Sequence, residues 1–397
     1  MIIRKLDELL LNIYLVWGRI RKIAWHGNSQ GDVLIYDDEG SDLLMHCIPF
    51  GAKVNILKVR GGIPIINSRY FFKRFFVNLL QQREIKSALL KSLFDVWKPK
   101  VVITFIDNSI SIRRVKVLFP DIPVICVQNG IRWDMARKDC LRLHFDYYYC
   151  FGLAEQELID NLGHSANFVE GIGSIRLGIS GVESKVFDKG YDICFISEYV
   201  PFISLQEQTD KWTKDFLIAL NTVEKSLYEL VSKFAKLNNL TICVAMRSAS
   251  TSQFYDEELN FFLNTADPIV DMLPRKGLSS YSAVKKSSLT VCAFSTLGYE
   301  ALGMGSRVIF AADVKLLKNK LMDDDGLQEP YFLTHQLLSF QRLHLLSYEE
   351  FSHKAKLLLQ FTNDDYLKCT DAARKYYMNN NSARPQEVIE KKIQSFL

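Results

Sequence analysis

The stretch Ser287–Phe310, SSLTVCAFSTLGYEALGMGSRVIF, decides the fold. It opens on a short apolar run, Leu289–Ala293, that reads as a strand. Phe294-Ser295-Thr296 ends that strand, and a helix starts at once. The helix stops at Gly303 and Gly305, and a second strand follows at Arg307–Ala311. Both strand runs are continuously apolar rather than alternating, as strands covered on both faces are. Strand, helix and strand in so short a span is the repeating unit of a parallel sheet.

The same pattern extends outward in both directions. Asp32–Tyr36, Val54–Val59, Val101–Phe105, Val124–Val127 and Tyr147–Phe151 read as strands in the first half, and Asp192–Ile196 and Leu240–Ala245 in the second. Helical spacing fills the gaps. Phe71–Trp97 places Phe72, Phe75, Phe76, Leu79 and Leu80 on one side, and Asp215–Lys236 does the same with Phe216, Leu220, Val223 and Leu227. The class is α/β with mainly parallel sheets. A length of 397 residues suits two domains. The polar, glycine-containing stretch Gly178–Gly190 marks their boundary, giving Rossmann-like domains over residues 1–180 and 181–380 with a cleft between them. A closing helix is expected in 381–397.

Composition narrows the function. Hydrophobic residues make up 48% and charged residues 24%, which is ordinary for a globular chain and excludes disordered or collagen-like classes. A net charge of +4, from 49 basic and 45 acidic side chains, is too balanced for a dedicated nucleic-acid binder. The eight cysteines form no C-x-x-C pair, and those inside apolar runs read as buried free thiols suited to a reducing cytoplasm. The seven histidines are dispersed, and no Asp-x-Asp ends a strand, so no metal is expected. Gly171-Ile172-Gly173 lacks the third glycine of a dinucleotide fingerprint, and no cofactor is expected. Near the start, Leu9–Trp17 is apolar but too short to span a bilayer. With Arg4, Lys5, Arg19, Arg21 and Lys22 around it, it reads as an ordinary first helix or as one resting on an anionic leaflet. The expected location is the cytoplasm, with peripheral contact at the inner face of its membrane left open.

Ligands of parallel sheets bind beyond the carboxyl ends of the strands, so the residues there are the candidates. Ser295 or Thr296 occupies an N-cap position, with free backbone N–H groups beyond it that suit a phosphate. A plain capped helix is the alternative. Glu300 follows Thr296 by one turn and could accept from sugar hydroxyls. Arg247 follows Leu240–Ala245, and its guanidinium suits phosphate. Glu198 ends the Asp192 strand. In the first half, Asp107 and Asn108 follow one strand, and Gln128, Asn129 and Arg132 the next. Each group reads as a turn or as a cleft wall. Asp38, within Asp37-Asp38-Glu39-Gly40, follows the first strand.

The run Ser279–Phe310 resembles the donor-nucleotide segment of GT-B glycosyltransferases, above all bacterial surface-polysaccharide and lipopolysaccharide transferases. The resemblance implies a GT-B-like fold and a nucleotide-sugar donor held by Ser295, Thr296, Glu300 and Arg247. It implies a glycan or lipid-linked glycan acceptor along Asn108, Gln128, Asn129 and Arg132. A catalytic carboxylate would be Asp107, Glu198 or Asp38, in that order. The acidic Asp37–Gly40 cluster is also similar to the general-base motif of sialyltransferase-like enzymes that use CMP-sugars. That likeness favours a CMP-Kdo-like donor over a UDP- or GDP-sugar, although Met246-Arg247-Ser248 stands where those enzymes carry His-Pro. Two other readings stay open: a CDP-polyol phosphotransferase, for which no strand-end histidine is seen, and a non-catalytic binding or assembly module of the same fold.

Overall fold

The computed structural model describes residues 23–59, 63–82, 84–107, 110–131, 144–161, 165–180, 190–208, 211–265, 270–321, 334–380 and 384–397. Strands β1 (Ile23–His26), β2 (Val33–Tyr36), β3 (Val54–Leu57), β4 (Ile63–Ile66), β5 (Val101–Thr104), β6 (Val124–Val127), β7 (His144–Cys150) and β8 (Ser165–Gly171) lie in the first half. Strands β9 (Tyr191–Ile196), β10 (Ile242–Ala245), β11 (Val270–Leu273), β12 (Ser287–Cys292) and β13 (Val308–Phe310) lie in the second. One six-stranded sheet runs β3-β2-β5-β6-β7-β8 and one five-stranded sheet runs β11-β10-β9-β12-β13, while β1 and β4 pair apart from both. All these pairings are parallel. This is the GT-B-like architecture of two Rossmann-like halves.

The continuous apolar runs become sheets with a core on each face. In the first sheet, Leu34, Tyr36, Val102 and Cys126 face one core, and Val33, Ile35, Ile103 and Ile125 face the other. In the second, Ile193, Phe195, Val244 and Val291 pack against the long helix Lys211–Asn238 through its buried Phe216, Leu220, Val223 and Leu227. The opposite face holds Cys194, Cys243 and Cys292 as small, buried, unpaired thiols.

The Phe71–Trp97 stretch departs from its expected packing. It forms two helices, Arg69–Gln82 and Ile85–Trp97. The first buries Phe71, Asn78 and Leu79 and leaves Phe72, Phe76 and Leu80 in solvent. Polar pairing sets its orientation. Asn78 Nδ2 donates to Ser92 Oγ and Asp95 Oδ2 at 3.0 Å each, and Arg74 Nε donates to Asp95 Oδ2 at 2.6 Å. An apolar stripe turned inward would leave the half-buried Asp95 carboxylate and the buried Asn78 amide without these partners.

The chain then returns to its beginning. Helix Asn363–Tyr377 ends against Gly152, where an added Cβ would sit 2.3 Å from the Tyr376 carbonyl. The Asn379 N–H donates to the Phe151 carbonyl at 2.7 Å. Helix Pro385–Gln394 packs Ile389 and Ile393 into the first sheet's core beside Val33, Ile35 and Ile103. Ile389→Ala should cost about 2–5 kcal/mol by leaving a cavity there. Urea unfolding measures it, and a loss well below that range would show that the returning helix is not part of the first half's core.

Candidate functional site

Each sheet has a strand where the order reverses, and crevices open at such points. In the first sheet it lies beside β2 and β5, and in the second beside β9 and β12. A cleft of about 780 Å³ lies there, lined by Glu39 and His46 from the first half and by Glu198, Arg247 and Ser295 from the second. A smaller chamber of about 500 Å³ adjoins it and shares Arg247, Arg275 and Gly277 with it. Both volumes suit a small-molecule ligand.

Glu198 sits at the centre of this geometry. Its Oε2 accepts the backbone N–H groups of Ala293 and Phe294 at 2.9 and 3.0 Å, tying β9 to the turn after β12. Burial lifts its pKa from 4.5 to about 7, while those N–H groups and the Arg247 charge pull the other way. Below it, Glu224 Oε1 accepts the Glu198 backbone N–H at 2.7 Å. Burial and the Glu198 charge hold the Glu224 carboxyl well above its usual range. Glu258, fully buried, accepts from Ser197 Oγ at 2.6 Å and from the Arg247 and Ser248 N–H groups at 2.8 Å. That fixes the loop that carries Arg247. The guanidinium itself donates to the Tyr199 carbonyl at 3.3 Å and stays largely exposed to the cleft.

Ser295 caps helix Thr296–Gly303, and its side chain makes no capping bond. Thr296 Oγ1 accepts the Ile131 N–H at 3.0 Å, bridging the two halves. Glu300 is another bridge. It is buried, accepting from Ser174 Oγ of the first half and from Tyr281 Oη at 2.7 Å. Burial raises its pKa, against the pull of those two hydroxyls and Arg176. It also lines the cleft, where its oxygens are held by these two hydroxyls.

The first half contributes less than the strand-end rule suggests. Asn129 lines the cleft, and its carbonyl accepts from Arg176 Nη1 at 3.0 Å. Asp38 is exposed next to the lining residues Glu39 and Gly40. Gln128 and Asp107 are buried away from the cleft lining. Gln128 Nε2 donates to Glu155 Oε1 at 2.8 Å, and its Oε1 accepts the Phe151 N–H at 2.7 Å. Asp107 Oδ2 accepts from Tyr148 Oη at 3.3 Å. Asn108, Arg132 and the basic segment around Arg19, Arg21 and Lys22 lie outside the described residues.

Three basic lining residues escaped the sequence reading. Arg176 follows β8 and Arg275 follows β11, two edge strands whose mixed polarity hides them. His46 ends the short helix Ser41–Met45 after β2. Among the described residues, no group of three or more His, Cys, Asp or Glu could hold a metal ion. No helix among them is long and apolar enough to cross a membrane.

The Glu155 network makes a pH prediction. Burial raises Glu155 from 4.5 to about 7, so folding holds its proton where the unfolded chain has lost it. Stability from this group is therefore intact below pH 4.5 and falls as pH rises to about 7. Glu155→Gln keeps an acceptor for Gln128 and cannot ionise. Urea midpoints across that interval should show the variant gaining on the wild type as pH rises. A constant difference would contradict the assignment.

Solved structures with the same architecture include the UDP-GlcNAc 2-epimerase from Neisseria meningitidis, bound to UDP-GlcNAc. It is 11% identical, with 94% of this chain and 100% of that one covered and a TM-score of 0.51. The wall teichoic acid polymerase TagF is 10% identical over 93% of this chain and 89% of its own, with a TM-score of 0.52. The Methanocaldococcus jannaschii UDP-GlcNAc 2-epimerase, in complex with UDP-GlcNAc and UDP, is 12% identical over 93% and 99%, with a TM-score of 0.50. At such identities the likeness is one of fold. No curated protein matches the chain by sequence. A family model described as "putative O-antigen biosynthesis protein" matches residues 122–325, just over half of the chain and most of the cleft's second wall, and the chain belongs to that family.

Proposed function

We propose that the protein is a glycosyltransferase that moves a sugar from a nucleotide-sugar donor to a growing surface-polysaccharide or lipopolysaccharide acceptor. Its two domains are residues 1–180 and 181–380, closed by the helix in 381–397. The observation that carries the reading is the cleft between the halves. It gathers Arg176, Arg247 and Arg275 with the start of helix Thr296–Gly303 and a carboxylate of pKa about 7. Arginines and helix N–H groups suit the donor phosphates and stabilise the charge that builds on them as the sugar leaves. Glu198 is the best placed of the three candidate carboxylates to take a proton from an acceptor hydroxyl at neutral pH. Asp38 stands at the mouth, and Asp107 lies behind the cleft wall. Asn129, with Asn108 and Arg132, remains on the acceptor side.

Family membership and the nucleotide-sugar complexes of two fold neighbours support this reading. The sequence motifs favour a CMP-Kdo-like donor. Three arginines match equally well the greater charge of a UDP- or GDP-sugar. His46 in the cleft favours a second reading, CDP-polyol phosphotransfer, in which the imidazole would accept the proton. The protein would work in the cytoplasm, where nucleotide sugars are made.

A thermal-shift panel of CMP, CDP, UDP and GDP tests the donor site. A nucleotide at a hundred times its dissociation constant should stabilise the fold by about 2.7 kcal/mol. Arg247→Ala and Ser295→Ala should each lose most of that shift. Thr296→Ala is the poorer probe, because it also breaks the bond to Ile131. CMP alone would support the Kdo-like donor. CDP alone, with phosphotransfer lost in His46→Ala, would support the polyol reading. No shift with any nucleotide would contradict a donor site and leave the non-catalytic module.

A further inference from the structure

The outward-facing helix Arg69–Gln82, RYFFKRFFVNLLQQ, is about 21 Å long at 1.5 Å per residue. On its solvent side Tyr70 is 51% exposed, Phe76 60% and Leu80 73%, with Phe72 and Val77 also exposed. These five positions fall on one arc of a 3.6-residue helix, opposite the buried Phe71 and Asn78, with the buried Leu79 at its edge beside Phe72. Arg69 and Lys73 are exposed within the same arc, and the helix carries no acidic residue. Trp25, on the strand paired with β4 just before this helix, is also 60% exposed.

We infer that this face docks the protein on an anionic lipid bilayer. Large aromatic and aliphatic side chains with basic neighbours on one helix face suit the boundary between acyl chains and headgroups. Charge complementarity selects that occupant. A second copy laying the same helix face across a twofold axis would bring no carboxylate of that helix to Arg69 or Lys73. Zwitterionic lipid would leave both uncompensated, whereas anionic headgroups would pair with them. The Asn78–Asp95–Arg74 bonds hold the apolar arc outward without any ligand present. The surface is therefore preformed. The inference does not need the donor assignment, and the two are tested apart.

The test is co-sedimentation of the full chain with vesicles of phosphatidylcholine, with and without phosphatidylglycerol. The wild type should bind the anionic vesicles, bind the zwitterionic ones far less, and weaken with added salt. The double variant Phe76→Ser/Leu80→Ser should lose about tenfold or more in partitioning. Arg69→Gln/Lys73→Gln should lose the preference for anionic lipid. Both variants change solvent-facing positions only, and unchanged melting temperatures and nucleotide shifts would verify that fold and cleft are intact. Wild-type protein that stays in the supernatant overturns the inference. So does a wild-type dimer by light scattering that both variants turn into monomer without altering vesicle binding. Binding that survives both variants but disappears on neutralising Arg19, Arg21 and Lys22 also overturns it, in favour of the amino-terminal segment.

Discussion

All strand pairings among the described residues are parallel, and that constraint organises the protein. Parallel strands need crossover helices, and the crossovers cover both faces of each sheet. The strand ends then become the places where polar groups can gather without burial. With two such sheets in one chain, the segments after β2 and β6 face those after β9 and β12 across a single cleft. Thr296 and Glu300 span it with hydrogen bonds to Ile131 and Ser174. The returning helix Pro385–Gln394 binds the end of the chain to its first sheet, a second connection between the halves.

The cleft's electrostatics follow from its position. Glu198, Glu224 and Glu258 cluster beneath the second wall, and each accepts a backbone N–H. Burial raises the carboxyls of Glu198 and Glu224, and at Glu224 the charges of Glu198 and Glu258 add to it. Arg247 lies over them, held by the loop that Glu258 fixes. A carboxylate of raised pKa and an exposed guanidinium are thereby kept side by side, as the proposed transfer requires. Glu198 also holds the turn on which Ser295 sits, so it shapes the anion site as well as bordering it.

How much of this could be read from the sequence depends on burial. The central strands are continuous apolar runs, and β2, β5, β6, β9, β10 and β12 all stand out. The edge strands β3 and β13 stand out as well, but β8 and β11 do not. β8 (SANFVEG) and β11 (VDML) mix polar with apolar residues and are partly exposed, and β4 contains Pro64. Missing those edges meant missing Arg176 and Arg275, which follow them. The strand-end rule found Glu198, Arg247, Ser295 and Asn129 in the cleft. It also selected Gln128 and Asp107, whose partners Glu155 and Tyr148 lie on other elements and draw them inside. The apolar stripe of Phe72, Phe76 and Leu80 is plain in the sequence. Its outward direction is not, because Asp95, seventeen residues beyond Asn78, sets it.

The central claim is that a nucleotide sugar sits where β12 meets its helix. Amide hydrogen exchange with and without the nucleotide that binds tests this most directly. The account predicts new protection at Ser295–Leu297 and in the loop after β10 that carries Arg247, with the edge strands unchanged. Protection confined to the first half, or absent from the 295–297 amides while the nucleotide is bound, would contradict it.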